Sequence, residues 1–378
     1  MRVRNFKTND IAKLPQVLSS LTADGFKPTL ALVFANINFS QEALQQFFAS
    51  TGMCFIASSA AGEFINGELD DPAIVGLLME MDPANYASFF LPFNGDDYTK
   101  AGRELGRFST EHFAQPAIIV LTSGIPDGES LIKHIEEGAG TTVPLFGGIA
   151  SDDFKMQETF VYSAEGITNS GIAAIVIDRS RVEMEGLVFG GWYPVGITRT
   201  ITKSKGNVVY TIDNEPALDL IARFCHKAPE EFTAGPDAIK NLTTHFQLLI
   251  YREDSYPVLR TAIAADLESR SLTFTSMMPE GVKMKFSLTP SFEVMDNLVT
   301  KYNELKNNCD EPEAVVLFSC KGRQMIFGPW IANEVSRISE IWKAPLTGFL
   351  SYGEIGKTSQ ESVEFHNMAC SVLLMKEK

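Results

Sequence analysis

Three stretches of the chain repeat one alternation of apolar runs and polar turns. The first opens with the apolar run Leu30-Ala-Leu-Val-Phe34, which reads as a strand. A helical stretch follows from Ser40 to Ser50, with Ser40 as N-cap and Leu44, Phe47 and Phe48 as its apolar stripe. Next come the strand and turn Cys54-Phe-Ile-Ala-Ser-Ser-Ala-Ala-Gly-Glu63, and a closing strand from Ala73 to Met81.

The second copy opens with Ala117-Ile-Ile-Val-Leu121, passes a helix from Gly128 to Glu137, reaches Pro144-Leu-Phe-Gly-Gly-Ile-Ala-Ser-Asp-Asp153 and closes with Gly171 to Ile177. The third opens with Ala314-Val-Val-Leu-Phe318, passes a helix from Ile331 to Trp342, reaches Pro345-Leu-Thr-Gly-Phe-Leu-Ser-Tyr-Gly-Glu354 and closes with Ala369 to Met375. Laid on Cys54, Pro144 and Pro345, the turns put Glu63, Asp153 and Glu354 at one offset and the small residues Ala57, Gly147 and Gly348 at another.

Strand–helix–strand order with short apolar strands predicts crossover units, with the closing strand free to run antiparallel. The expected fold class is α/β (mixed α+β): two related halves of mixed sheets flanked by helices. The segment Gly206-Asn-Val-Val-Tyr-Thr-Ile-Asp-Asn-Glu-Pro216 reads as a strand, a turn and a helix entered at Pro216. It places the division between the halves at 28–210 and 211–378, with residues 1–27 as an N-terminal extension packed on the core.

Composition narrows the function classes. A formal net charge of −15 disfavours nucleic acid and anionic membrane surfaces as partners. Five dispersed cysteines (Cys54, Cys225, Cys309, Cys320, Cys370) argue against a disulfide framework and a structural zinc site. The opening residues lack the apolar run of a signal peptide, and no stretch approaches a membrane span, so the expectation is a soluble cytoplasmic protein. No GxGxxG or GxxxxGK[ST] occurs in the right context, and GxSxG and HExxH are absent.

At the level of motifs, Pro144-Leu-Phe-Gly-Gly-Ile-Ala-Ser-Asp-Asp153, Trp192-Tyr-Pro-Val-Gly196 and Val209-Tyr-Thr-Ile-Asp-Asn-Glu-Pro-Ala217 resemble the FIST N-terminal domain. Leu317-Phe-Ser-Cys-Lys-Gly-Arg323, Gly348-Phe-Leu-Ser-Tyr-Gly-Glu-Ile-Gly356 and Phe365-His-Asn367 are similar to the FIST C-terminal domain. The resemblance covers roughly residues 28 to 375 and implies a sensory module that binds small molecules. Its output would pass through a separate histidine kinase, cyclase or chemotaxis receptor. Some members bind haem and report nitric oxide, so haem is a second expectation.

The residues themselves supply a candidate site. Arg323, after a buried strand, has the fork geometry to grip a ligand carboxylate; its alternative is an internal ion pair with Glu354 or Asp153. Glu354 and Glu63 follow glycines at turns and could hold an ammonium group, which with Arg323 would suit an amino acid. Ser351, Tyr352, Gly348 and Gly353 lie in the same turn, and Trp192 could stack on a planar ligand or simply fill the core. Asp152 and Asp153 are a weak divalent-cation pair, more simply read as a hydrated loop. Five histidines (His112, His134, His226, His245, His366) are available to haem, with His366 the one inside a family segment. Cys320 or Glu354 would be the reactive group of a hydrolase-type enzyme, but the expectation is a protein that is not an enzyme.

Overall fold

The structure is a computed structural model that describes residues 1–378 apart from 125–126, 234–237, 245–246, 253–256 and 289–292 and the side chains of 96, 239, 243 and 244. All three repeats form. In the first, strand Leu30–Asn36 runs parallel to Cys54–Ala60 across helix Gln41–Ser50, and Ser40 Oγ accepts the Ala43 N–H at 3.2 Å as its cap. The closing strand Ile74–Glu80 lies antiparallel to Leu30–Asn36.

Each repeat also carries a lead strand and a helix ahead of the predicted part. In the first unit these are Arg2–Thr8, paired antiparallel with the closing strand, and helix Leu14–Thr22. The second unit has lead strand Tyr86–Pro92, helix Tyr98–His112, parallel strands Pro116–Ser123 and Leu145–Ile149 around helix Gly128–Ala139, and closing strand Gly171–Asp178. The third has lead strand Val182–Phe189, helix Val294–Leu305, parallel strands Ala314–Cys320 and Leu346–Ser351 around helix Ile331–Ile341, and closing strand Cys370–Glu377.

The hairpin after each second strand is given to a neighbouring unit. That of the first, Glu63–Ile65 with Glu68–Asp70, pairs with Leu346–Ser351 of the third. That of the second, Val161–Ser163 with Gly166–Thr168, pairs with Cys54–Ala60 of the first. That of the third, Glu354–Lys357 with Val363–His366, pairs with Leu145–Ile149 of the second. The exchange closes a ring and yields three six-stranded sheets with one strand order: lead, closing, first, second, visiting hairpin.

The ring explains the composition of the strands. One face of each sheet enters a shared core containing Phe34, Phe146, Phe318 and Phe349, with Phe34 stacked on Phe349 at 4.7 Å between centroids. The other face is covered by that unit's own helices, in three separate apolar clusters. The central strands are therefore buried on both faces and read as continuous apolar runs.

A fourth sheet is inserted into the third unit between its lead strand and its helix. It contains the strands Tyr193–Lys205, Val208–Ile212, Gln247–Tyr251, Val258–Arg260, Ala262–Asp266, Ser271–Phe274 and Lys283–Leu288, and has its own core around Leu218, Leu248 and Phe286. The α/β class with mixed, helix-flanked sheets is as expected. Position 210, where the two halves were expected to meet, falls inside strand Val208–Ile212, and residues 2–22, expected as part of an N-terminal extension packed on the core, supply the first strand and helix of the first unit. Among the described residues, no helix is long and apolar enough to cross a membrane.

Candidate functional site

The inserted sheet meets the second and third units around a narrow cavity of about 70 Å³. Thr261, Ile263 and Thr275 line it from the insert, and Ile149, Phe154 and Met156 from the second unit. The third unit contributes Cys320, Gly322, Tyr352, Phe365, Asn367 and Met368. Cys320 is there because it ends the buried first strand, and Gly322 because a Cβ at that position would lie 2.3 Å from Met368 Sδ.

One wall is a strained loop. Asp153, Phe154 and Met156 have φ of 61°, 59° and 51°, a region that bulky side chains seldom adopt. The Asp152 carboxylate holds them there by accepting the N–H groups of Met156, Gln157 and Glu158 at 3.0, 2.8 and 3.1 Å. Tyr352 donates its hydroxyl to Asp152 and accepts the Phe154 N–H at 2.6 Å, and burial followed by the Asp152 hydrogen bond pushes its phenol up. The Asp152–Asp153 pair is thus a loop-building device: Asp152 serves backbone donors, and the exposed Asp153 pairs with Lys321 at 2.8 Å.

Arg323 corrects the sequence reading most sharply. It is fully buried, and its Nε lies 3.2 and 3.1 Å from the two carboxylate oxygens of Glu334. Its Nη2 donates to Glu334, and its Nη1 donates to Gly190 O at 2.8 Å and Met368 O at 3.0 Å. The fork that was expected to grip a ligand is spent inside the protein. The internal ion pair forms, but with Glu334 in place of Glu354 or Asp153.

Glu354 lies behind Cys320. Its Oε1 is 2.6 Å from Ser351 Oγ, its Oε2 accepts the Ala369 N–H at 3.3 Å, and burial pushes its carboxyl up to about 8. With its oxygens turned to Ser351 and the Ala369 N–H and away from the cavity lining, Glu354 is not placed to hold an ammonium group there. Glu63 is also buried, with its carboxyl pushed up to about 8 by burial, but it stands in the hairpin that joins the third sheet and does not line the cavity. Trp192 is a support: its Nε1 donates to Met368 O at 3.2 Å from a small apolar cluster with Leu259, Cys320 and Met368. Gly348 and Gly353 are packing positions, where a Cβ would lie 1.9 Å from Leu317 O and 2.4 Å from the Phe365 ring.

The haem expectation does not fit this site. A volume of about 70 Å³ is far below that of a macrocycle, and no histidine is among the described residues lining the cavity. His366 is buried on strand Val363–His366, and burial with Arg260 and Arg252 nearby pushes its imidazole down to about 3. His245 lies outside the described residues.

Polar contacts beside the cavity tie the insert to the core. Arg252 reaches Glu129 and Glu364 at 2.7 Å each, and Arg260 donates to Glu129 and, at 3.1 Å, to Phe365 O. Burial opposes ionisation of Glu129, but Arg260 and Arg252 outweigh it and hold the carboxyl below its usual range. Thr275 Oγ1 donates to Asn367 Oδ1 at 2.6 Å across the same junction.

The sequence motifs that frame this junction also decide the family. Residues 29–215 match the FIST N domain and residues 217–357 the FIST C domain. The chain belongs to the FIST family. It is also 25% identical over 259 residues to the Uncharacterized protein MJ1623 of Methanocaldococcus jannaschii, a match covering 61% of this chain and 48% of that one. The chain thus spans about half the length of that relative. FIST domains are associated with sensory signal transduction.

Of the expected site residues, Cys320 and Tyr352 line the cavity of this FIST protein, with Ser351 and Glu354 directly behind. The insert's Thr261, Ile263 and Thr275 were missed because a strand edge carries no motif. Gly322, Phe365 and Asn367 did leave a signal, since each lies in a segment that carried the family resemblance.

Proposed function

We propose that this FIST protein is a ligand-binding sensory protein, and that a small molecule occupies the cavity between the inserted sheet and the ring. The observation that carries the reading is the cavity's construction from three parts of the fold, the insert and two units of the ring. A ligand touching all three distinguishes between positions of the insert, and a differential interaction of that kind is what a conformational signal requires. A separate signalling protein, such as a histidine kinase, cyclase or chemotaxis receptor, would read the position of the insert.

Binding without turnover is the form we propose. Burial, with Glu354 close by, pushes the Cys320 thiol well up, which keeps it protonated and a poor nucleophile. Its neighbour Glu354 is bonded to Ser351 Oγ and the Ala369 N–H and does not line the cavity, so a molecule held there would not touch it.

The test is a thermal-shift screen followed by amide exchange. A ligand should raise Tm and slow exchange in residues 152–158 and 261–275, because only the folded state offers the cavity. Ile263→Trp, at a half-buried wall position, should abolish both effects. A ligand whose effects survive that substitution unchanged would move the site elsewhere.

A further inference from the structure

Accepting the sensory reading of the cavity, we infer that its ligand is an uncharged, predominantly apolar small molecule or moiety. The walls are mainly Ile149, Phe154, Met156, Ile263, Phe365 and Met368. The volume of about 70 Å³ suits a branched chain of a few carbons, and the two methionines let the walls adapt to its shape.

The charged groups around the cavity are already committed. Arg323 is closed on Glu334 and two carbonyls. Lys321 donates to Ala61 O at 2.8 Å and pairs with Asp153 at 2.8 Å. Glu354 faces Ser351 and the Ala369 N–H from a fully buried position. An ion entering the cavity would shed its water and find no free countercharge among these groups, which is the costly case.

Three hydroxyls of the wall are committed in the same way. Thr261 Oγ1 donates to Gln247 Oε1 at 2.6 Å, Thr275 Oγ1 to Asn367 Oδ1 at 2.6 Å, and the Tyr352 hydroxyl to Asp152. These bonds orient the wall side chains and leave an apolar surface toward the space between them. An amino acid, with two charges in a span of three atoms, is the ligand this lining selects against.

The experiment uses the full chain labelled at the methionine methyl groups and three probes of one shape: isobutanol, isobutyrate and isobutylamine. The expected result is that isobutanol shifts the Met156 and Met368 resonances together, with a midpoint at least about tenfold below those of the two ions. If either ion shifts the pair at an equal or lower concentration, the ligand class is wrong while the cavity stands as a binding site. If no probe moves either resonance up to its solubility limit, both the ligand class and the sensory reading of this cavity fall.

Discussion

Arg323 and Glu334 are closed on one another inside the third unit, and neither side chain has exposed surface. Through Gly190 O and Met368 O the same guanidinium ties helix Ile331–Ile341 to the end of the lead strand and to the approach of the closing strand. The pair therefore fastens three elements beside the cavity without entering it.

Removing one partner should be costly. Arg323→Ala leaves the Glu334 carboxylate buried with only Ser319 Oγ, at 3.0 Å, among its side-chain donors. It should lower stability by about 3–5 kcal/mol in urea unfolding, the usual penalty for stranding one member of a buried pair. Arg323→Met combined with Glu334→Leu should recover most of that loss, since it removes both charges at similar volume. A single variant with an unshifted midpoint would contradict the buried pairing.

Glu354 carries a pH dependence of definite sign. Its folded carboxyl titrates at about 8 and its unfolded carboxyl near the ordinary 4.5, so the folded chain holds the extra proton between those values. Stability from this group is complete below the unfolded value and is lost as pH rises through about 8. Glu63, also at about 8, adds to the same trend. His366, pushed down to about 3, works the other way, since its contribution is complete above the unfolded value of 6.5 and is lost on acidification. Between roughly pH 6.5 and 8.5 the two acids govern the slope, at up to about 1.4 kcal/mol per pH unit for each. Glu354→Gln should roughly halve the fall in urea midpoint over that window, and an unaltered slope would show that the carboxyl is ionised in the folded chain.

The parts of the fold visible in the sequence were those that local chemistry writes down. The first and second strands of each unit announce themselves because both faces are buried, and Ser40 marked its helix by a cap that forms. The lead strands did not. Arg2–Thr8 is largely charged and polar, Tyr86–Pro92 has no buried position, and Val182–Phe189 is cut off from the rest of its unit by the whole insert. The hairpin exchange has no local signature, since a strand's alternation does not say whose edge it will join. The common offset of Glu63 and Glu354 was readable and structurally real: each accepts the N–H just ahead of its unit's closing strand, Ala73 at 2.9 Å and Ala369 at 3.3 Å. Asp153 breaks the pattern by turning out to Lys321. Arg323 was legible as important, while its partner was not, because Glu334 shares its helix with a second acid, Glu340, and only packing selects it.

Gly348 offers a check on the repeat. It sits opposite Leu317 in the parallel ladder, and a Cβ there would lie 1.9 Å from Leu317 O; Gly147, opposite Val120 in the second unit, would meet Val120 O at 1.8 Å. The obstacle in both cases is backbone, which cannot swing aside. Gly348→Ala and Gly147→Ala should each lower stability by about 3 kcal/mol in urea unfolding, by overpacking a central strand. Well-tolerated alanines would mean that the two strands are farther apart than described.

Glu129 tests whether the insert is held on the ring by the contacts beside the cavity. Its carboxylate receives Arg252 and Arg260 at once, and Arg260 is almost wholly buried, so Glu129→Ala strands a guanidinium whose remaining acceptors are the Leu259 and Phe365 carbonyls. The loss should be about 2–4 kcal/mol, between that of a charged hydrogen bond and that of a broken buried pair, because Glu129 keeps part of its surface in water. The insert has its own apolar core, so the expected failure is local: faster amide exchange in strands Val258–Arg260 and Ser271–Phe274, with the ring strands Pro116–Ser123 and Ala314–Cys320 unchanged. If the ring strands accelerate to the same extent, the insert and the ring unfold as one unit. A ligand in the cavity would then have no separate movement to bias.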